Sequence, residues 1–154
     1  MSVNSANGSR FSIGTTLACA NLGDYQTDVY TSVGEVEDLG EFGDESAEIV
    51  FTSLSDGRVR KFKGPRNAGT VNVTCGDDPN NAGQDAMVVA EASNLDYNFR
   101  IEFNDAASIS GTPSVHYFSG KVMSKKFNVG NASNIIKRMF SVGINTAIFS
   151  VDAA

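Results

Sequence analysis

The chain has 154 residues, fifteen glycines, three prolines and no tryptophan, which suits a single domain, residues 1–154, large enough to bury its own core. A net charge of −6 argues against duplex nucleic acid or an anionic membrane as a binding partner, and no run approaches the roughly 18 apolar residues of a membrane helix. Hydrophobic content of 41% excludes disorder, and Phe outnumbers Tyr ten to four beside runs of Val, Ile and Thr, which points to a mainly β domain.

The first ten residues are small and polar, with a turn signal at Asn7-Gly8, and are expected to form a mobile arm. They contain no apolar signal core, so a soluble protein made in the cytoplasm is expected. "FSIGTTLACA" is the first expected strand and "VYTSVGEVEDLGEF" the second, punctuated by Gly34 and Gly40. On that second strand Glu35 and Glu37 share one face and Val36 takes the other. Residues 43–57 follow no clean period and are expected to be a long loop. "GRVRKFKG" and "GTVNVTCG" are two short strands joined across "PRNAG", and Val71, Val73 and Cys75 alternate with Thr70, Asn72 and Thr74.

One helix is expected, with Asp78 as its N-cap, Pro79 as its first helical residue and Asn94 as its stop. Ala82, Ala86, Met87, Val89 and Ala90 would form its narrow apolar stripe. "DYNFRIEFND" then alternates cleanly, with Tyr97, Phe99, Ile101 and Phe103 facing inward and Asp96, Asn98, Arg100 and Glu102 outward. "SVHYFSGKVMSKKFNV" is a long strand expected to bulge near Ser119-Gly120. In "NIIKRMFSVGINTAIFSV", Phe140, Val142, Ile144 and Ile148 share a face opposite Met139, Ser141, Gly143, Asn145 and Ala147. The excursion "NDAASISGTPS", residues 104–114, has no assigned role.

Charge is unevenly placed. Residues 24–56 hold ten acidic side chains and no basic one, whereas Arg58, Arg60, Lys61, Lys63 and Arg66 follow without an acid. Such a layout suits either a subunit that meets copies of itself or two solvated loops of opposite sign. No catalytic constellation can be assembled. His116 is the only histidine and sits in an alternating strand, so a structural role outweighs a triad. Cys19, Cys75 and His116 are scattered too singly for zinc, and two cysteines are too few for a disulfide framework. Asp78, Asn80 and Gly83 resemble the start of a calcium loop, but its twelfth position is Val89 and not Glu. No enzyme activity, metal or cofactor is expected.

Three motifs occur in order across the chain: Val33-Gly34-Glu35-Val36 with Asp38-Leu39-Gly40 and Phe42-Gly43, then Ala82-Gly83-Gln84, then "YFSGKVMSKKFNVG". Together, from about residue 11 to 151, they resemble the major tail tube proteins of tailed bacteriophages. The resemblance implies a β-sandwich or barrel with one flanking helix, its inner sheet closing into a barrel across a hexameric ring. Rings would stack into a hollow conduit for DNA delivery, placing the protein in the tail of the virion. Partners would be other copies of the chain, the tape-measure protein, the tail tip or terminator proteins and, in a contractile tail, a sheath protein. The family's long loop and terminal arms, here residues 43–57, 1–10 and the last few, would make contacts between subunits and rings.

A conduit should not bind what passes through it. Six copies at −6 each give roughly −36 per ring, and like-charge repulsion acts over a screening length of about 8–10 Å. Glu35, Glu37 and Glu41 are therefore candidates for a lumen wall. The alternative is that these acids face outside or pair with the basic segment of a neighbour. Asp44, Glu45, Glu48, Arg58, Arg60, Lys61, Lys63 and Arg66 are the candidates for contacts between subunits or rings. A single-ring tail completion or connector protein of the same fold is the second reading, and a small β-sandwich binding module, which would show an exposed aromatic cluster, is the third.

Overall fold

The computed structural model describes residues 3–154, so the first two residues of the expected arm lie outside the described residues. The chain runs β1 (Arg10–Ile13), α1 (Leu22–Thr27), β2 (Thr31–Val33), β3 (Val36–Asp38), β4 (Glu45–Thr52), β5 (Val59–Asn67) and β6 (Thr70–Gly76). It continues through α2 (Ala82–Ala92), β7 (Tyr97–Glu102), β8 (Val115–Asn128), β9 (Lys137–Ile144) and β10 (Phe149–Val151). Eight strands make one sheet in the order β2-β1-β7-β8-β9-β6-β3, with β10 also paired on β8, while β4 and β5 form a separate two-stranded sheet. The fold is mainly β, and among the described residues the large sheet is open and does not close into a barrel.

Alternation decides which face of that sheet is dry. Phe99 and Ile101 of β7, Val71, Val73 and Cys75 of β6, and Phe140, Val142 and Ile144 of β9 are buried as their spacing predicts. Phe11, Phe99 and Phe118, on three adjacent strands, stack with centroids 5.6 and 5.5 Å apart. Helix α2 covers this face, packing on β8, β2 and β1. Its contact stripe is turned from the expected one: Gly83, Gln84, Met87 and Ala90 are buried, whereas Val89 is mostly exposed. Gly83 is what permits the approach, because a Cβ there would overlap the Ser32 carbonyl and the Val33 backbone.

Several expectations are corrected. The N-cap of α2 is Asn81, whose Oδ1 accepts from Gln84 N at 3.0 Å; Asp78 instead closes the preceding turn, accepting from Asn80 N at 3.0 Å. Asn81 wins because the same oxygen also accepts from Gly34 N at 3.1 Å, tying the helix start to the β2–β3 turn. The expected second strand is two short ones, broken where Glu35 takes a left-handed φ of 58°. Asn98 is buried and does not face out: its Nδ2 donates to Leu17 O and Asp28 Oδ2, and its Oδ1 accepts from Ser119 Oγ. The irregularity in β8 lies between Val122 and Ser124, not at Ser119-Gly120.

The first strand ends at Ile13, well short of the expected 11–20, and residues 21–28, to which no element was assigned, contain α1. Asn21 caps it, accepting from Asp24 N at 3.0 Å, and Tyr25 drives its buried side into the sheet edge, where the phenol meets Ser119 Oγ at 2.8 Å. The polar set Tyr25, Ser119, Asn98 and Asp28 lashes this excursion to β7 and β8. Excursion 104–114 is closed at its base by Asp105 accepting from Ser114, and Thr112 exchanges backbone hydrogen bonds of 2.8 and 3.0 Å with Ala154.

Candidate assembly surface

The segment expected to be the long loop, 43–57, is largely strand. Residues Glu45–Thr52 form β4, pairing antiparallel with β5 from Glu45↔Asn67 to Thr52↔Val59. The two expected strands joined across "PRNAG" are thus not partners: β5 runs through Pro65 and Arg66 and pairs with β4, while β6 pairs with β9 and β3. The hairpin is joined to no strand of the large sheet. Both its faces carry large apolar side chains about half exposed, namely Ile49, Phe51 and Phe62 on one and Val50 and Val59 on the other.

The acidic and basic runs meet inside the chain. Asp44 pairs with Arg66 at 2.9 Å, Glu48 with Lys61 at 3.3 Å and Asp56 with Arg60 at 2.9 Å. All are well exposed, so each contributes about 0–1 kcal/mol and serves mainly to hold the hairpin's register. Among the described residues, Glu45, Arg58 and Lys63 are left without an ion-pair partner. Of the candidates for a lumen wall, Glu37 pairs with Lys137 at 2.7 Å, while Glu35 and Glu41 are exposed and have no ion-pair partner among the described residues. These acids do not line one strand face: Glu35 sits in the β2–β3 turn, Glu37 on the edge strand β3, and Glu41 in the connection to the hairpin.

A second open feature went unnoticed in the sequence. β7 covers β8 only from Val115 to Gly120, and β10 pairs on Val115–Tyr117. Beyond Gly120, β8 pairs with β9 alone, which leaves one side of Lys121–Asn128 unpaired. Lys125 and Lys126 lie on this stretch without carboxylate partners, and Met123 and Phe127 are more than half exposed. The signal was present as a strand of fourteen residues opposite a neighbour of six.

The connection 36–44 roofs an open cavity of about 700 Å³. Phe42, Phe103, Leu39, Ile148 and His116 form its apolar side, and Asp38 and Glu41 stand at its rim. His116 lies against Phe103 and Phe42 at 4.6 and 5.6 Å between centroids. Burial there pushes its pKa below the ordinary histidine range, against the opposing pull of Asp105 and Asp152. Its Nδ1 meets Ser150 Oγ at 2.7 Å, and its Nε2 is buried without a hydrogen-bond partner. No group of three His, Cys, Asp or Glu side chains among the described residues is placed to hold a metal ion. Cys19 and Cys75 are both unpaired thiols, and burial pushes Cys75 up to about 11.

No protein-family model matches the sequence, and no curated protein sequence does. Solved structures do match. The SPP1 tail tube shares 12% identity at a TM-score of 0.64, over 94% of this chain and 76% of that one. A chain of the six-fold symmetrised anti-feeding prophage baseplate shares 9% identity at 0.66, over 99% and 98%. A chain of the PVC sheath/tube terminator, from an extracellular contractile injection system, shares 11% identity at 0.65, over 98% of each. The chain therefore has the fold of the tail tube proteins of phages and phage-like injection systems, the family that its motifs resemble. These neighbours come from structures described as a tail tube, a baseplate and a sheath/tube terminator.

Proposed function

We propose that this protein is the subunit of a phage tail tube, whose copies join side by side into hexameric rings that stack into a conduit for DNA. The observation that carries this reading is the β4–β5 hairpin, a detached two-stranded sheet with apolar side chains on both faces. An isolated hairpin of this kind is marginal in water, and its open edges invite another chain. β4 has eight residues, the same length as the open stretch Lys121–Asn128 of β8. Laying β4 of one copy along that stretch of the next would add the two strands of the hairpin to the neighbour's large sheet. Glu45 on β4 and Lys125 and Lys126 on β8 supply opposite charges for the same join. Around a closed ring this covers the open stretch of β8 in every copy.

In this arrangement Glu35 remains a candidate for the lumen wall, where a carboxylate repels phosphate, whereas Glu37 is offset by its pair with Lys137. Partners are the protein itself, a tape-measure protein and the tip or terminator of the tail, with a sheath protein where the tail contracts. Assembly follows synthesis in the host cytoplasm. The injection-system neighbours come from assemblies described as sheath, tube, terminator and cap, which supports such partners. The terminator likeness also supports a single closing ring as the second reading.

Negative-stain electron microscopy with sedimentation velocity at rising concentration tests the proposal. Hollow tubes with a regular ring repeat are expected, and Lys125→Pro, which removes an N–H on the open side of β8 because its neighbour Lys126 is the one that faces Met139 of β9, should abolish them. Isolated rings at every concentration favour the terminator. A monomer at every concentration, or tubes indifferent to the proline, overturns the reading.

A further inference from the structure

We propose that His116 is an acid-sensitive latch: neutral, it holds Phe42 and closes segment 36–44 over the cavity; protonated, it lets that segment swing away. The imidazole is clamped between two phenylalanines, with ring centroids 4.6 Å away at Phe103 and 5.6 Å away at Phe42. Ser150 Oγ meets Nδ1 at 2.7 Å, and the buried Nε2 faces no hydrogen-bond partner. A neutral ring tolerates this slot, because one nitrogen is served and the other leaves a single uncharged group unpaired. The imidazolium does not fit it. Both nitrogens then carry N–H and Ser150 accepts from only one, so a desolvated cation is left with an unpaired donor.

The backbone decides which side of the clamp gives way. His116 lies mid-sheet, opposite Ile101 of β7 and Ser150 of β10, and Phe103 N donates to Ser114 O at 3.0 Å. Phe42 has no such anchor. Among the described residues, 40–43 make one hydrogen bond, from Gly40 N to Asp38 Oδ1 at 2.7 Å. Gly40 and Gly43 flank Phe42 closely, at φ of 64° and 149° with open space where a Cβ would stand, so the segment can turn there without a clash.

The charges around His116 favour the open form. Asp105 of the 104–114 excursion and Asp152, just beyond β10, pull towards the protonated ring. Asp38 and Glu41 stand on the segment itself, at the cavity rim. Glu37 is taken by Lys137, Asp44 by Arg66 and, on β7, Glu102 by Arg100, while the arm brings only Ala6 and Ser9 to the cavity. With the slot closed, burial outweighs the acids and holds the His116 pKa below the ordinary range. Once water enters, the burial penalty goes and the acids remain. Closure is therefore full above the open-state pKa and is lost as pH falls towards the closed one. Segment 36–44 runs directly into β4, so the latch sets the footing of the hairpin.

His116 is the only histidine, so its ring signals can be followed alone by NMR in the unassembled chain. Its titration midpoint is expected below 6.5, and the contacts between the His116 and Phe42 rings should vanish with that same midpoint. Opening should grow by no more than about tenfold per pH unit, the slope of a single proton. In His116→Gln, which cannot charge, the Phe42 signals should stay constant from about pH 8 to about pH 5. Phe42→Ala, which leaves the slot open, should bring the His116 midpoint up to or above 6.5. A His116 that protonates with the Phe42 contact intact overturns the latch, as does a midpoint at or above 6.5 in the unmodified chain. Phe42 signals that shift equally in His116→Gln overturn it too. If that variant does not fold, the titration of the unmodified chain decides alone.

Discussion

Gln84 is the side chain on which the join between α2 and the sheet most depends, and replacing it by methionine gives the sharpest test of the fold. It is fully buried. Its Nε2 donates to Gly34 O at 3.0 Å and Gly76 O at 2.8 Å, and its Oε1 accepts from Asp78 N at 3.2 Å. One amide thus ties the β2–β3 turn, the end of β6 and the approach to the helix. Gln84→Met keeps the volume and strands two carbonyls and one N–H. At about 1–3 kcal/mol per orphaned group, the gross cost is about 3–9 kcal/mol. Burying an apolar thioether in place of an amide returns about 1–2 kcal/mol, and Gly34 is near enough to the surface for water to relieve part of its loss. A net loss of about 3–5 kcal/mol is expected, a Tm lower by about 6–20 °C for a domain of this size. Urea titration followed by far-ultraviolet circular dichroism, at concentrations too low for assembly, measures it. A loss under about 1 kcal/mol at unchanged m-value would refute the reasoning. Gln84→Glu adds a sign: the carboxylate would face two carbonyls, so folding raises its pKa. Its stability should be full below the unfolded value near 4.3 and be lost as pH rises through the folded one.

Asn81→Ala should cost about 1–2 kcal/mol in the same titration, because it removes both the cap of α2 and the bond to Gly34, whereas Asp78→Ala should cost under about 0.5 kcal/mol. Equal losses would restore Asp78 as the cap. Burial tends to raise the Asp28 pKa, but bonds from the Thr15 hydroxyl, the Asn98 amide and two backbone N–H groups together hold it below the usual carboxylate range. That contribution is present above the unfolded pKa near 3.9 and lost as pH falls through the folded one; urea midpoints from pH 7 to pH 3 should fall less steeply in Asp28→Asn, and parallel curves would count against it. With a disulfide reagent at pH 8, Cys19 should react in the folded chain while Cys75, raised to about 11 and buried, should react only on unfolding; simultaneous release would contradict its burial.

The strands legible in advance are those with one wet face and one dry. β6, β7 and β9 alternate strictly, and their buried residues are the ones the period selects. Where a tertiary bond competes with alternation, the period fails. Asn98 occupies an outward position on β7 and is buried because Asp28, Leu17 and Ser119 come to it from an excursion whose path no local pattern announces. Asp78 and Asn81 are equally good caps as residues, and the choice between them was decided by Gly34, forty-seven positions earlier than Asn81. Helix α1 is only six residues long and is held by Tyr25, so its propensity was too weak to read.

The hairpin was missed for a reason that itself bears on assembly. "EIVF" does not alternate, and a strand that carries Ile49, Val50 and Phe51 in succession is the pattern of a strand covered on both faces. Within one chain neither face is covered, so alternation found no wet side and the segment resembled a loop. The same geometry revises the meaning of the charge runs. Separated in sequence, acids and bases suggested a plus-to-minus contact between copies; folded into β4 and β5, most of them neutralise one another across the hairpin. What remains for a neighbour is a smaller set, Glu41, Glu45, Arg58 and Lys63 with the lysines of the open β8 edge, spread around the apolar hairpin. Screened charges of that kind select register and partner, whereas the apolar faces supply the larger stabilisation. Assembly should therefore weaken more on replacing Phe51 or Phe62 than on raising salt.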